Sequence, residues 1–227
     1  MNPLLSLLQL SDPALPIGGY AHSAGLETYV QKGLVSDSTS AKEFVASMIT
    51  NNIQYTDAAF VSLCFDAATE YNFENILLLD ARCNAVKLAS ESRHASQKLG
   101  ARLMKVFAPL INSAQIKKFA KEIIIKSTPG HYSIAFALCG AALSISKAEV
   151  LSGFYFNVAS GIITNCVKLI PLGQQDGQKI LFSLHPVIGK LVQDTLKPDE
   201  DLLGLSCPGF DIRCMQHEDL YSRLYMS

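Results

Sequence analysis

Apolar side chains recur at intervals of three and four residues along most of this chain, the spacing that places them on one face of an α-helix. No stretch alternates between apolar and polar residues for long, so β-strands are not predicted. We therefore predict an all-α protein, a single-domain bundle of about ten helices over residues 1–227. The apolar positions that define predicted helices are Leu4, Leu5, Leu7, Leu8 and Leu10; Phe44, Val45, Met48 and Ile49; Phe60, Val61, Cys64, Phe65 and Ala68; the segment 77–88; and Ile116, Phe119, Ile123 and Ile124.

Capping residues mark where some of these helices begin. Ser23 is predicted to cap a helix over 23–32, because a serine hydroxyl accepts from the free backbone N–H groups of a first turn. Ser40 with Glu43 fits a capping box, in which two side chains satisfy backbone N–H groups reciprocally. A turn is predicted near 55–57, before the next helical face.

Two long segments, 127–146 and 150–167, contain no Asp, Glu, Lys or Arg. Their length suggests membrane spans, but Pro129 interrupts the first, and several polar residues lie in the second. Ser146 and Glu149 form another capping box between them. We therefore predict a central helical hairpin that is buried by other helices rather than by lipid.

The segment 11–27 departs from the helical pattern. Pro13 and Pro16 cannot continue a helix, and the adjacent Gly18 and Gly19 allow backbone angles that other residues resist. Because ordering such a segment costs entropy, its shape has to be fixed by packing. A rigid connector between two helices is the simplest interpretation of its composition.

A stripe of small side chains suggests close helix packing. Ala85, Ala89, Ser92, Ser96 and Gly100 follow one another at intervals of three or four residues. A neighbouring helix can approach closely at such positions. Core packing is the simplest interpretation of the stripe.

Composition narrows the possible function classes. Of 227 residues, 49% are apolar and only 17% charged, and the net charge is −1. So few charges suggest that some surface is reserved for partners, and the near-neutral balance gives no reason to expect nucleic acid or an anionic membrane as a ligand. Six scattered cysteines and a start without signal-peptide features predict a cytoplasmic protein with reduced thiols.

The search for catalytic chemistry is mostly negative. Phosphate-binding loops, dinucleotide fingerprints and zinc-protease motifs are absent from the sequence. Ala21–Gly25 resembles a nucleophile elbow without its first glycine, but no hydrophobic strand precedes it. Cys207, Cys214 and His217 are weak candidates for a soft metal site, although their spacing matches no common zinc pattern. We predict no enzymatic activity and no cofactor.

Four blocks of sequence resemble the urease accessory protein UreF family. The first runs from Leu8 to Glu27 and contains Pro-Ile-Gly-Gly-Tyr and His-Ser-x-Gly-Leu-Glu. The others follow in family order: Glu91-Ser92-Arg93 with Ser96 and Gly100, the segment 171–178, and a tail with Asp211-Ile212, His217-Glu218 and Tyr221-Ser222-Arg223-Leu224-Tyr225. Small departures occur at Gly19, Ala21, Ser92 and Tyr225.

This resemblance implies a non-enzymatic, dimeric scaffold of urease maturation. It would bind the accessory protein UreD (also called UreH) and recruit the GTPase UreG to apo-urease for GTP-dependent nickel insertion. It also implies a docking role for the N-terminal motif (11–27) and the C-terminal tail (204–227). The expected partner-binding residues are Pro16, Gly18, Tyr20, His22, Ser23, Glu27, Asp211, His217, Glu218, Tyr221, Ser222, Arg223 and Leu224; Arg93, Ser96 and Gly100 are candidates for helix packing or dimerisation.

One specific contact and two alternative functions accompany this interpretation. We expect Arg223 to hold the tail against the Tyr20 loop by stacking or hydrogen bonding. Modulation of the UreG GTPase would require an inserted arginine, for which Arg93, Arg102 and Arg223 are candidates. The alternative is a nickel-binding metallochaperone that uses Cys207, Cys214 and His217.

Overall fold

The computed structural model describes residues 2–23, 25–205 and 207–226, and all of their side chains except that of Tyr20. All regular secondary structure in these residues is helical, which confirms the predicted all-α class. Short 3₁₀ turns occur at Gly19–Ala21 and Glu200–Leu202, and a π-helix covers Ile49–Ala58. The α-helices are α1 (Pro3–Leu10), α2 (Leu26–Gln31), α3 (Ser38–Met48), α4 (Ala59–Thr69), α5 (Phe73–Val86), α6 (Ser90–Phe107), α7 (Ala114–Ile124), α8 (Tyr132–Ala142), α9 (Lys147–Leu169), α10 (Gln174–Ser183), α11 (His185–Thr195) and α12 (Pro208–His217).

Helix α8 lies at the centre of the core. Every residue from Tyr132 to Gly140 is buried, and α8 packs most extensively against α4 and α6, whereas α9 packs mainly against α10 and α11. The two charge-free segments thus form consecutive helices whose main neighbours differ, and a central hairpin of α8 and α9 remains a prediction. By length and composition α9 could cross a membrane, but 56% of its most apolar window is buried inside the protein, as in a core helix.

The turn predicted near residues 55–57 is wrong. The chain continues from α3 through the π-helix Ile49–Ala58 into α4, with αR backbone angles at both junctions. The wider π-helix turns the polar side chains of Asn52, Thr56 and Asp57 inward, where all three are buried. These polar residues interrupt the apolar spacing, which is why the segment resembles a turn. Such π segments are rare and occur often at functional sites.

Local capping signals are confirmed in one case and corrected in two. Ser146 and Glu149 form the predicted capping box at the start of α9. Helix α3 is instead capped by Asp37 with Ser40, which occupies the third helical position. Helix α2 begins at Leu26, after Gly25 in the left-handed region (φ 79°), so Ser23 is not its cap.

The apolar face predicted for α7 extends one residue too far. Ile116 and Phe119 are fully buried, but the side chain of Ile124 is 77% exposed. It lies at the last residue of the helix, beyond the part that the core covers.

The small-residue stripe is divided between two elements. The chain leaves the helical conformation between Val86 and Ser90, so Ala85 and Ala89 do not share a helix with Gly100. At Gly100 the predicted close approach is confirmed, because a Cβ there would lie 2.1 Å from the carbonyl oxygen of Gly130. This contact brings α6 against the start of α8.

Candidate functional site

The N-terminal motif and the C-terminal tail meet at the carboxylate of Glu27, which is buried at the start of α2. Its Oε1 accepts a hydrogen bond from the backbone N–H of Leu224 at 2.8 Å, and its Oε2 accepts one from that of Tyr225 at 3.2 Å. The backbone N–H of Met226 donates to the carbonyl oxygen of Ala21 at 2.9 Å. Three main-chain N–H groups of the tail therefore bind the N-terminal motif, which lies almost the full length of the sequence away.

His217, at the end of α12, joins this junction to α6. Its ring is fully buried, with Nε2 3.2 Å from Glu27 Oε2 and Nδ1 2.6 Å from Glu91 Oε2. Each ring nitrogen therefore faces a carboxylate oxygen, and the imidazole links the two acidic side chains. Arg223 also binds Glu91, with Nη1 2.9 Å from Oε1. We call the residues Glu27, Glu91, His217 and Arg223 the terminal junction.

The expected contact between Tyr20 and Arg223 lies partly outside the described residues, because the side chain of Tyr20 is not described. The partner that the structure gives to Arg223 is Glu91. The underlying expectation, that the tail packs on the N-terminal motif, is realised through Glu27 and Ala21 instead. The sequence does not predict this contact. The Glu27 carboxylate binds main-chain N–H groups, and these do not depend on which residue types the tail contains.

Some of the residues expected to bind partners are buried, and others are exposed to solvent. Gly18, Ser23, Glu27 and His217 are buried, and His22 and Asp211 are half-buried. Gly18 has a φ of 82°, and a Cβ there would collide with Arg102, whose Nη1 donates to the Ile17 carbonyl at 3.0 Å. The buried members shape the loop and junction. The exposed members, which are available to a partner, are Pro16, Glu218, Tyr221, Ser222, Arg223 and Leu224.

Large apolar side chains project from the tail. Tyr221 is fully exposed, and Leu224 and Met226 are 68% and 60% exposed. On the adjacent α12, Ile212 and Met215 are also exposed. Exposed apolar residues that cluster on an ordered segment are typical of surfaces that bind other proteins. We call these five residues the tail face.

A buried polar network fixes the close contact between α6 and α8. The carboxylate of Asp80 accepts hydrogen bonds from the Thr128 hydroxyl, at 2.6 Å, and from the backbone N–H groups of Gly130 and His131. Burial raises the pKa of Asp80, and these hydrogen bonds oppose the rise. Asp80 thus orders the break before α8, a role that its position in the middle of α5 does not suggest.

His131 is the other end of that network. Its Nδ1 lies 3.0 Å from the Ser96 hydroxyl, and its Nε2 lies 3.2 Å from Asn84 Oδ1. The neutral tautomer with a proton on Nε2 satisfies both contacts, because Nε2 donates to the amide oxygen and Nδ1 accepts from the hydroxyl. Burial, and then the positive charges of Lys87 and Arg93, lower the pKa of His131 to about 3.

A cavity of about 270 Å³ lies beneath the N-terminal motif, between that motif, the π-helix, α6 and α9. Most of its lining is apolar. Its polar lining includes Lys87, whose Nζ binds both carboxylate oxygens of Asp57 at 2.8 Å. Burial is the largest single influence and acts to lower the pKa of Lys87, but the charge and hydrogen bond of Asp57 together with the influence of Cys83 and Asp211 outweigh it, and the pKa is raised. Lys87 therefore keeps its positive charge at neutral pH.

The candidate metal ligands are not brought together. Within residues 2–23, 25–205 and 207–226, no three His, Cys, Asp or Glu side chains are grouped so that they could hold a metal ion. His217 is occupied by two carboxylates, and burial raises the pKa of the Cys214 thiol to about 12. A thiol that resists deprotonation is a poor metal ligand.

Comparison with known proteins agrees with the resemblance in the sequence. The model of the UreF family matches residues 35–185. Over 227 residues the chain is 46% identical to the urease accessory protein UreF of Actinobacillus pleuropneumoniae serotype 5b (strain L20), covering 100% of both chains. It is also 46% identical to UreF of Haemophilus influenzae (strain PittGG), covering all of this chain and 97% of the relative. It is 33% identical to UreF of Bacillus sp. (strain TB-90), again over 100% of both chains. The family model covers well over half of the chain and the relatives cover all of it, so this chain belongs to the urease accessory protein UreF family.

Proposed function

We propose that this protein is a non-enzymatic scaffold of urease maturation that binds UreD (UreH) and recruits the GTPase UreG to apo-urease. Nickel then enters the active site of urease while UreG hydrolyses GTP, and the scaffold modulates that hydrolysis. Family membership supports the role in urease maturation. The named partners follow from the sequence resemblance.

The observation that supports this proposal most directly is the terminal junction. Glu27 and Glu91 hold the tail in a defined conformation, and the tail face projects from it. A segment that is ordered before binding loses less entropy when a partner docks. The chain therefore presents a preshaped apolar surface, flanked by the charged groups of Arg223 and Glu218.

We also propose that the protein forms a homodimer. The low proportion of charged residues, 17% of the sequence, favours an extensive interface. Ser96 and Gly100 are buried against the start of α8 in their own chain, and Arg93 donates to the carbonyl oxygen of Lys87 at 2.7 Å. Because these candidates already have intramolecular contacts, we expect the dimer to use other surface.

Co-purification with UreD and UreG tests the proposal. Leu224→Asp should reduce recovery of the complex at least tenfold, because it replaces an exposed apolar member of the tail face with a charge. Leu110→Asp is the matched control, since Leu110 is 58% exposed in the connection between α6 and α7. Equal recovery of wild type and Leu224→Asp, with both variants folded, would exclude the tail face as the docking surface.

A second experiment tests the scaffold itself. Urease activation in vitro with UreD, UreG, nickel, bicarbonate and GTP should require this protein, and GTP turnover by UreG should change when the complex forms. Glu27→Gln weakens the two backbone contacts of the tail and leaves His217 with one carboxylate, so it should reduce activation and speed proteolysis of residues 218–226. Full nickel loading without this protein would refute the proposed function.

A further inference from the structure

The cavity beneath the N-terminal motif has no role in the proposed scaffold. Its lining is mostly apolar and includes a small set of polar side chains. Six apolar side chains from four different elements form its body: Ile17, Met48, Leu99, Phe154, Val158 and Ile162. Helix α3 contributes Met48, and the π-helix contributes Asn52, Ile53 and Asp57. A mostly apolar cavity with a few polar groups at one place is the usual form of a small-molecule site.

The ammonium group of Lys87 is the reactive polar feature of this lining. An ammonium carries three protons, and two of them are directed at the oxygens of Asp57. The third has no acceptor among the described residues, although the side chain is only 11% exposed. A ligand that offers an acceptor oxygen would satisfy it.

Charge at this end of the cavity selects the kind of acceptor. The Asp57 carboxylate lies against the ammonium, and the charge of Asp211 also acts on Lys87. A second carboxylate from a ligand would be repelled by both, whereas a neutral carbonyl oxygen would not. The Thr56 hydroxyl and the Asn52 amide belong to the same hydrogen-bonded cluster, with Thr56 Oγ1 2.8 Å from Asp57 Oδ2 and 3.2 Å from Asn52 Oδ1.

We propose that the cavity binds a small neutral molecule with an apolar, ring-sized body and one carbonyl oxygen, which accepts a hydrogen bond from Lys87. The body contacts Met48, Leu99 and Phe154, and the carbonyl group lies at the Asp57–Lys87 pair. This site is independent of the proposed scaffold function, because none of these contacts involves the tail face.

Binding of 2-acetonaphthone, a neutral aromatic ketone, tests the site in the full-length protein. Ligand-observed NMR should show saturable binding, and 2-naphthoate, an anion of similar shape, should bind at least tenfold more weakly. Selective ¹³C-methyl labelling of methionine locates the probe, since Met48 lines the cavity, whereas Met215 and Met226 lie on the tail face. A shift of the Met48 methyl signal is expected, and shifts confined to Met215 and Met226 would overturn the proposal.

Filling the cavity provides the decisive variant. Gly161 lines it, and a Cβ there would meet nothing within 4 Å. Gly161→Phe should therefore fold normally and weaken binding of 2-acetonaphthone at least tenfold. Gly189→Phe is the matched control, because Gly189 lies in α11 with equally open space, and it should bind as wild type does. If thermal unfolding shows that Gly161→Phe is damaged, Gly161→Leu carries the same expectation.

The polar end is tested by removing both charges together, since replacing one partner alone leaves an unpaired buried charge. Asp57→Asn with Lys87→Met should weaken binding of the ketone about tenfold while the protein remains folded. Undetectable binding to wild type, or unchanged binding to Gly161→Phe, would refute the site. Equal or tighter binding of 2-naphthoate would refute the selection of a neutral carbonyl group.

Discussion

Acidification should destabilise this protein through His131. The imidazole is fully buried and bound as the neutral tautomer between Ser96 and Asn84. Its pKa is lowered from 6.5 to about 3 by burial and by the nearby positive charges of Lys87 and Arg93. In the unfolded chain the same imidazole regains its ordinary pKa. Between these two values the unfolded state holds a proton that the folded state does not.

The sign and size of the effect follow from this difference. Because the unfolded state binds more protons, the free energy of unfolding falls as the pH falls below 6.5, and it keeps falling until about pH 3. One pKa unit corresponds to about 1.4 kcal/mol, so acidification from pH 7 to pH 5 should remove about 2 kcal/mol through His131 alone. That is a large part of the stability of a typical domain.

Urea denaturation followed by circular dichroism at pH 7, 6 and 5 measures this loss. His131→Gln keeps a donor for Asn84 and cannot titrate, so it should be less stable at pH 7 but should lack about 2 kcal/mol of the acid-induced loss. His185→Gln is the control, because His185 is exposed, and its pH dependence should follow wild type. Identical pH dependence in wild type and His131→Gln would refute the assignment of a neutral, acid-sensitive imidazole.

Three further predictions concern stability, and denaturant titration measures each of them. Gly100→Ala should destabilise the protein by about 1–3 kcal/mol, although alanine has the better helix propensity, because the added Cβ would lie 2.1 Å from the Gly130 carbonyl oxygen. The control Gly161→Ala has open space around its Cβ and should instead stabilise the protein by up to about 1 kcal/mol. Equal effects of the two substitutions would contradict the close approach at Gly100. Ser146→Ala should cost about 1 kcal/mol through loss of the capping box of α9; a neutral result would mean that packing alone fixes the start of that helix. Asp80→Asn should cost about 1–3 kcal/mol by leaving a buried N–H group without an acceptor, and unchanged stability would show that Asp80 does not order the break before α8.

The sequence is sufficient to predict a structural feature where the interaction that fixes it joins residues close together in the chain. The Ser146–Glu149 box involves residues three positions apart, and it is confirmed. Interactions between distant residues were not predictable in this way: the break at residues 128–130 is visible in the sequence, but Asp80, which binds it from about 50 positions away, is not. The sequence pattern does not indicate the π-helix, because the helical spacing sought has 3.6 residues per turn, and the wider turn moves Asn52 and Thr56 inward.

The terminal junction is a second example of a contact between distant residues that the sequence does not predict. The sequence resemblance points both to the motif that contains Glu27 and to the tail that contains Arg223. A contact between them is predicted through side chains, because a sequence specifies residue types only. The groups of the tail that Glu27 binds are backbone N–H groups. Every residue except proline has one, so no residue type in the tail predicts the contact.

Because main-chain groups help to attach the tail, the groups that hold it in place differ from the side chains that it exposes to a partner. The outward side chains at positions 221, 222 and 224 are not needed to hold the segment in place, so they can diverge between organisms to suit different partners without releasing it. The constraint falls on position 27, where an acidic side chain has to remain, on the exclusion of proline at 224 and 225, and on two other side chains of the tail, Arg223 paired with Glu91 and the buried Tyr225. Grafting the outward residues of one homologue onto another should therefore transfer partner preference without rebuilding the fold.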